Sequence, residues 1–263
     1  MPMLDSVTME EFASGLEKSR TVILPCGSLE EHGSHLPLGT DTWHAVELAR
    51  LVAEKIFVWV APPVPYGLCR SSSQHPGTVS IKGTTLRLLI QDIVRGLYLN
   101  GLKNVLILSG HAGVTHIAMI IDACEELLGR HKACPYMAGT KACPPVRAGT
   151  GACPYMADLR IAVVSINDLG RIAWKGIVET PGDSHAGEVE TSVIEYLFPD
   201  KVKGRPQQEY PSFPKFLLVR NKRAFWPGGV WGDPTKASAE KGKKLLERSV
   251  EALIDVIRSL ESL

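Results

Sequence analysis

Continuous apolar segments alternate with amphipathic segments along this chain. Unbroken apolar runs, which are typical of strands covered on both faces, predict strands at 21–27, 56–67, 103–110 and 160–167. Apolar residues at helical spacing predict helices at 8–18, 41–55, 84–100, 113–129 and 236–261. Prolines interrupt the second strand, and Thr8 is a suitable N-cap for the first helix. The alternation predicts an α/β fold with a mostly parallel sheet and helices on both faces.

The segment 133–157 interrupts this pattern, because the hexapeptide ACPYMA occurs in it twice and alanine, glycine and proline dominate it. It offers little apolar area to bury, and its prolines prevent a continuous helix or central strand. We interpret it as a low-complexity, solvent-facing insertion in a single domain that spans residues 1–263. A lid over a functional site or an additional thiol metal site is the alternative.

The composition is that of an ordinary globular protein, with 263 residues, 44% hydrophobic and 22% charged. A net charge of +1 without a basic stripe gives no electrostatic signature of nucleic-acid binding. The N-terminal stretch has acidic residues and no apolar signal region, and no apolar run approaches the ~20 residues that a membrane span needs. The sequence therefore predicts a cytoplasmic protein without a nucleic-acid or membrane partner.

Six cysteines are present, and none forms a C-x-x-C pair. In a cytoplasmic chain of this size disulfide bonds are not expected. Cys26 and Cys124 lie among apolar residues, which predicts that both are buried as small hydrophobic side chains.

Polar, titratable residues are concentrated in GSLEEHGSHLPLGTD, residues 27–41, directly after the first predicted strand. A second polar position, Gly110-His111, follows the predicted strand 103–110. In a parallel α/β sheet, functional sites lie beyond the carboxyl ends of the strands. The two polar positions are therefore expected to belong to one site.

Four of these side chains form a candidate metal centre. Glu30 and His32 are two residues apart, so in an extended segment they point the same way. Asp41 follows a loop that can fold back, and His111 lies at the end of the predicted strand 103–110. A mixed nitrogen and oxygen set suits Zn²⁺, Mn²⁺ or Fe²⁺ and not a soft thiolate site. Because an aspartate can bridge two ions, we predict one or two divalent ions.

The neighbouring polar residues receive simpler interpretations. His35 is interpreted as a surface residue or a hydrogen-bond donor to a ligand. His44 and His116 lie on predicted helices; His44 is interpreted as a packing residue or a partner of a ligand, and His116 as a structural residue. Glu31 is interpreted as a solvated neighbour of the ligands or as a partner in a helix cap.

A second polar cluster, PGDSHAGEVETS at 181–192, precedes a helical segment. Acidic residues at a helix N-terminus are favourable for the helix dipole alone, which is one interpretation of Glu190. The other interpretation makes His185 a general acid or base, with Glu190 orienting it or supporting a metal ligand.

The sequence resembles the creatininase (creatinine amidohydrolase) family. The matching motifs are GSLEEHGSHLPLGTD, HPGTVSI (75–81), SGHAG (109–113), HAGEVETS (185–192) and GVWGDPTKASAEKG (229–242). The resemblance implies a three-layer α/β/α sandwich, assembly into homo-oligomers such as hexamers, and metal-dependent hydrolysis of amide-type C–N bonds.

The resemblance also implies residue roles. The family's metal ligands fall on Glu30, His32, Asp41 and His111, and Asp41 is the residue that bridges two ions. Its catalytic histidine and following glutamate fall on His185 and Glu190. Bound ions would lower the pKa of a water toward ~7, and His185 would pass a proton to the leaving nitrogen. His75 and Ser80, in HPGTVSI, are expected to line the substrate cleft.

Two departures argue against creatinine itself as the substrate. Gly113 stands where creatininase proper has a further glutamate ligand, and the stretch TPGDS before His185 lacks the tryptophan found there. A small-molecule amidohydrolase, a peptide-trimming hydrolase of a mycofactocin-type maturation pathway and a formamide deformylase remain open. A scaffold without activity is disfavoured, since it has no physical reason to keep costly buried charges.

Overall fold

The structure is a computed structural model that describes residues 2–129 and 156–263. The strands are Thr21–Cys26 (β1), Trp59–Val60 (β2), Asn104–Ser109 (β3) and Arg160–Ser165 (β4). The helices are Met9–Gly15 (α1), Thr40–Lys55 (α2), Gly83–Leu99 (α3), Val114–Leu127 (α4), Ile166–Ala173 (α5), Glu188–Leu197 (α6) and Ala239–Ser262 (α7). Short 3₁₀ helices cover Leu4–Ser6, Pro199–Lys201 and Pro234–Lys236. The predicted insertion at 133–157 lies, apart from its last two residues, outside the described residues.

The four strands form one parallel sheet in the order β2-β1-β3-β4. β1 pairs with β3 along its full length, and β3 pairs with β4 in the same way. In this register the last residues of the central strands, Cys26, Ser109 and Ser165, lie side by side. The segments that follow β1 and β3 therefore leave the sheet at the same edge, as the sequence predicted.

Helices cover both faces of the sheet. Alternate strand residues point to opposite faces, so Ile23 packs with α2, α5, α6 and α7, and Val22 packs with α3 and α4. Each fully buried Leu, Ile or Val contributes about 1.5–3 kcal/mol to the stability of these layers. The arrangement confirms the predicted α/β fold and its three-layer α/β/α sandwich.

β2 is much shorter than the predicted strand at 56–67. Pro62, Pro63 and Pro65 have no N–H to donate to a strand ladder, so regular pairing ends at Val60. The chain stays beside the end of β1 through a bridge between residues 26 and 64. The segment 61–82 therefore starts at the carboxyl edge of the sheet.

Side-chain caps set two helix boundaries. Thr8 and Glu11 form a capping box, which confirms the predicted N-cap of α1, although the helix ends earlier than predicted. Ser165 accepts a hydrogen bond from the N–H of Asp168, which ends β4 and starts α5. The predicted strand at 160–167 missed this helix, since its cap lies inside an apolar run.

The longest helix of the described residues, α7, closes one face of the sandwich. It begins at Ala239, later than predicted, because the Ser238 hydroxyl accepts a hydrogen bond from the N–H of Lys241. One side of it buries Leu253 and Ile257, and the charged side faces outward. No helix within residues 2–129 and 156–263 has the length and apolar character needed to cross a bilayer.

Candidate metal centre

The loop after β1 and the end of β3 meet at the N-terminus of α2. A Cβ atom added at Gly110 would lie 1.9 Å from the carbonyl oxygen of Asp41, so only glycine permits this approach. At Gly27 an added Cβ would lie 2.5 Å from the backbone nitrogen of Thr42. These two glycines allow the helix start to approach the strand ends, and they bring Asp41 into the site.

Asp41 lies between two histidines. Its Oδ1 atom is 3.1 Å from Nε2 of His32, and its Oδ2 atom is 3.2 Å from Nδ1 of His111. The hydroxyl of Ser28 donates a hydrogen bond of 2.5 Å to Oδ2. Asp41 is buried, and each of its oxygens faces a different imidazole, which is the arrangement of a bridging carboxylate.

One group of potential ligand atoms lies on the His111 side of Asp41. Oε2 of Glu30 is 2.8 Å from Nδ1 of His111, and the Ser72 hydroxyl donates a hydrogen bond to Oε1. Glu30, Cys69 and His111 each offer one ligand atom, and these atoms lie within 4.8 Å of one another. All three residues are buried.

A second group lies on the His32 side. Nε2 of His32 is 3.5 Å from Oε2 of Glu190, and the rings of His32 and His185 are 4.2 Å apart. One ligand atom from each of these three residues lies within 4.8 Å of the other two. The N–H of Ala186 donates to Oε2 of Glu190 at 2.5 Å and fixes the carboxylate at the start of α6.

Backbone carbonyls determine which nitrogen of each imidazole is available. Nδ1 of His32 donates to the carbonyl of Glu30 at 3.0 Å, and Nε2 of His111 donates to the carbonyl of Leu68 at 3.3 Å. This network assigns the free lone pair to Nε2 of His32 and to Nδ1 of His111. Both of these nitrogens face Asp41, so the imidazoles are oriented as metal ligands are.

The electrostatics of the cluster favour a cation. Burial opposes protonation of His32, but the Asp41 and Glu190 carboxylates outweigh it and raise its pKa to about 10. The pKa of His111 is raised well above its usual value, against burial, by Glu30 and Asp41. Burial raises the pKa of Glu190. The buried carboxylates therefore attract positive charge, and a nitrogen and oxygen donor set of this kind fits divalent ions.

His185 is held at the edge of the cluster. Nε2 donates a hydrogen bond of 2.7 Å to the carbonyl of Glu31, and the backbone exchanges hydrogen bonds with Trp231. Its ring lies against Trp226, with centroids 5.2 Å apart, and 12% of its side chain is exposed. His185 therefore has a fixed orientation and still reaches the cavity.

The cluster forms the floor of a cavity of about 640 Å³. Glu30, Asp41, His111, His185 and Glu190 all contribute to its lining. Much of the apolar part of the wall comes from Phe213, Leu217, Leu218, Val219, Trp226 and Trp231, and two cations, Arg70 and Lys222, also line the cavity. The cavity has room for a substrate much larger than the reacting bond itself.

His75 and Ser80 do not line this cavity. Nε2 of His75 makes a hydrogen bond of 2.6 Å with the carbonyl of Trp226, so His75 stands behind a wall residue. The Ser80 hydroxyl accepts a hydrogen bond of 2.9 Å from the N–H of Cys69. In this structure both residues contact neighbouring protein groups, and their expected role in lining the substrate cleft stays a prediction.

Three interpretations of neighbouring residues need correction. Glu31 is 5% exposed rather than solvated, and its Oε1 atom is 3.5 Å from Nε2 of His185. His35 is buried rather than on the surface, and its Nε2 atom is 2.8 Å from the hydroxyl of Thr191. Cys69 belongs to a ligand group although a thiol contribution was not expected. All three contacts join segments that are remote in sequence, which no local pattern reveals.

Three comparisons place this geometry among known proteins. The Creatininase family profile, described as creatinine amidohydrolase, matches residues 5–257. The mycofactocin precursor peptide peptidase of Mycobacterium ulcerans (strain Agy99) is 28% identical over 90% of this chain and 84% of that protein. The creatinine amidohydrolase of Pseudomonas putida is 27% identical over 96% of this chain and 94% of that protein. A solved structure described as "Creatininase Mn" is 25% identical, with a TM-score of 0.80 over 98% of this chain and 97% of the other.

Proposed function

The chain belongs to the creatininase family, and from that premise we propose that it is a metal-dependent hydrolase of amide-type C–N bonds. The observation that carries the proposal is the position of Asp41 between two groups of buried ligand atoms. Its oxygens lie 3.1 and 3.2 Å from His32 and His111. A carboxylate shared in this way is typical of two-metal hydrolytic centres.

The proposed cofactor is one or two divalent ions, Zn, Mn or Fe. Glu30, Asp41 and His111 would hold one ion, and His32, Asp41 and Glu190 would hold the other. The distance of 3.5 Å between His32 and Glu190 supports a ligand role for Glu190 more than a role in orienting His185. When bound, such ions supply Lewis acidity, which activates water and polarises a carbonyl.

His185 is proposed to move the proton. Its Nε2 atom is committed to the carbonyl of Glu31, so Nδ1 is the atom that accepts a proton and returns it to the leaving nitrogen. Burial and His32 lower the pKa of His185, but the Glu31 side chain and the carboxylates Glu30 and Glu190 raise it overall. The raised pKa suits a group that must hold a proton before it delivers it.

The cavity wall favours peptide trimming as the more specific form of this function. Leu217 and Leu218 offer apolar surface for a side chain next to the scissile bond, and Arg70 and Lys222 suit a carboxylate. The volume of about 640 Å³ exceeds what a formamide or creatinine needs. Similarity to a peptide peptidase points the same way. A small-molecule amidohydrolase and a formamide deformylase are the alternatives.

We further propose a single-domain, cytoplasmic homo-oligomer, with a hexamer as the expected form. Phe216, Leu217 and Leu218 are consecutive and exposed in the single chain, and a contiguous exposed apolar patch is typical of an interface. Light scattering of the purified protein would measure the assembly, and a monomer would contradict this part of the proposal.

The test of function begins with metal analysis of the purified protein. We expect one to two equivalents of Zn, Mn or Fe, loss of hydrolysis after chelation and recovery after metal addition. The metal-loaded protein is then offered small amides, formamides and short peptides with apolar and polar ends. A protein that neither contains nor responds to a divalent metal would contradict the proposal.

A further inference from the structure

A thiol lies where only nitrogen and oxygen ligands were expected. Cys69 is fully buried, and its sulfur lies within 4.8 Å of ligand atoms of Glu30 and His111. The other two described cysteines, Cys26 and Cys124, are also buried and free, but they belong to an apolar core cluster. Burial therefore does not distinguish Cys69, whereas its position beside a carboxylate and an imidazole does.

Hydrogen bonds hold the backbone around Cys69 in place. The N–H of Cys69 donates to the Ser80 hydroxyl at 2.9 Å. The preceding residue, Leu68, accepts from Nε2 of His111 at 3.3 Å and donates to Nδ1 of His116 at 3.2 Å. The segment that carries the thiol is thus tied directly to the imidazole that shares its ligand group. These bonds fix the backbone position of Cys69 relative to His111.

We propose that Cys69 is a thiolate ligand of the ion held by Glu30 and His111, and that it makes this position prefer Zn²⁺ over Mn²⁺. The proposal rests on the metal-dependent function proposed above. Thiolate is a soft ligand that favours zinc, whereas carboxylate and imidazole also accept manganese. Within the described residues, the other group of potential ligand atoms, from His32, His185 and Glu190, contains no sulfur. The two positions are therefore chemically unequal.

Cobalt reports sulfur ligation directly, because Co²⁺ replaces Zn²⁺ and a thiolate ligand adds a sulfur-to-cobalt charge-transfer band in the near ultraviolet. The full chain is used with Cys134, Cys143 and Cys153 changed to serine, so that three thiols remain. We expect the band in this protein and in its Cys124→Ala variant, which removes a core thiol. We expect no band in the Cys69→Ala variant.

Zinc and manganese affinities supply the second measurement. Cys69→Ala should weaken zinc binding by at least the 10- to 100-fold that loss of a supporting partner typically costs, and should change manganese binding much less. Circular dichroism checks the fold, and Cys69→Ser serves as the second variant if the alanine variant is unstable.

The possible outcomes distinguish the proposed function from the ligand role of Cys69. Failure to bind any divalent ion would overturn the proposed function. Binding of Co²⁺ without the band, or a band that persists in both Cys69 variants, would overturn only the ligand role of Cys69. Equal loss of zinc and manganese affinity would overturn the proposed preference.

Discussion

The histidines at the candidate metal centre and those packed around it have opposite pKa shifts. The pKa is raised for His32 (to about 10), for His111 and for His185, and lowered for His35 (to about 4), His44 (to about 4) and His116 (to about 3). Burial disfavours the charged form in both sets. The two sets differ because His32, His111 and His185 face carboxylates.

The hydrogen-bond partners of His35 and His116 are neutral. His35 pairs with the hydroxyl of Thr191, and His116 accepts a hydrogen bond from the N–H of Leu68. His32 and His111, by contrast, lie against Asp41. In this protein, burial alone keeps a histidine neutral. Where carboxylates face the imidazole they attract a proton, and the same carboxylates can attract a metal cation instead.

The largest effect is expected from replacing His111, whose pKa is raised, and comparing it with His116, whose pKa is lowered. The two rings are in contact, with centroids 4.8 Å apart. His111→Ala should empty at least one metal position and lower hydrolysis by more than the roughly 100-fold that losing an outer partner costs. His116→Ala should keep most of the metal content, because His116 contacts the ring of His111 and the N–H of Leu68 but belongs to neither group of ligand atoms. Elemental analysis and turnover measure both effects. Equal metal loss in the two variants would break the distinction.

The second prediction separates proton transfer from metal binding among the histidines whose pKa is raised. His185→Ala should lower turnover by about 100- to 10,000-fold, the usual contribution of a general acid or base, with little change in metal content. Turnover and bound metal are measured on the same sample. Thr191→Val is the control, since it removes the partner of His35 without touching His185. Loss of metal from His185→Ala would show that His185 is a ligand instead.

The third prediction concerns the hydroxyl that supports the bridging carboxylate. Ser28→Ala removes the hydrogen bond of 2.5 Å to Oδ2 of Asp41 and should weaken metal affinity by about 10- to 100-fold. Competition with a chelator measures the affinity. Ser73→Ala, an exposed change in the 61–82 segment, is the control. Unchanged affinity in Ser28→Ala would show that Asp41 needs no support.

The smallest effect is the acid sensitivity that the packing histidines produce. The pKa of His44 is lowered by burial to about 4, below the ~6.5 of an unfolded chain. The unfolded state therefore binds more protons between these values, and the free energy of unfolding falls as the pH falls through this window. The slope from one such group approaches about 1.4 kcal/mol per pH unit.

His44→Gln should remove this contribution, so its unfolding free energy should change less between pH 6.5 and pH 4.5 than that of the parent chain. Denaturant titrations of metal-free protein at several pH values measure the difference. Asn104→Ala, a buried change without a titrating group, should shift the curve by the same amount at every pH. Parallel curves for His44→Gln and the parent would contradict the assignment.

The fold and the centre of the site follow from patterns that are local in sequence. Apolar runs and helical spacing located the strands and most helices, because both faces of the sheet are buried by the same few residue types. Glu30, Asp41 and His111 could be grouped from sequence, because parallel strands end at one edge of the sheet. Their roles as ligands stay predictions.

The remaining features depend on contacts between distant segments. Cys69 approaches Glu30 because prolines turn the chain out of β2 and across the sheet edge, and no periodicity encodes that path. Glu31 is buried because the segment at Gly229 covers it; a Cβ atom added there would lie 1.9 Å from its Oε2 atom. Helix α5 was missed, since a single capping serine interrupts an otherwise strand-like run.

The contact between His185 and Glu31 joins positions 154 residues apart, and the proposed ligand pair His32 and Glu190 spans almost the same stretch. An ion held by that pair would act as a removable cross-link that closes one very long loop of the chain. Closing a long loop lowers the conformational entropy of the unfolded state, as a disulfide bond does. The centre would then tie the loop after β1 to the start of α6, and chelation would lower the stability of the fold as well as stop the chemistry.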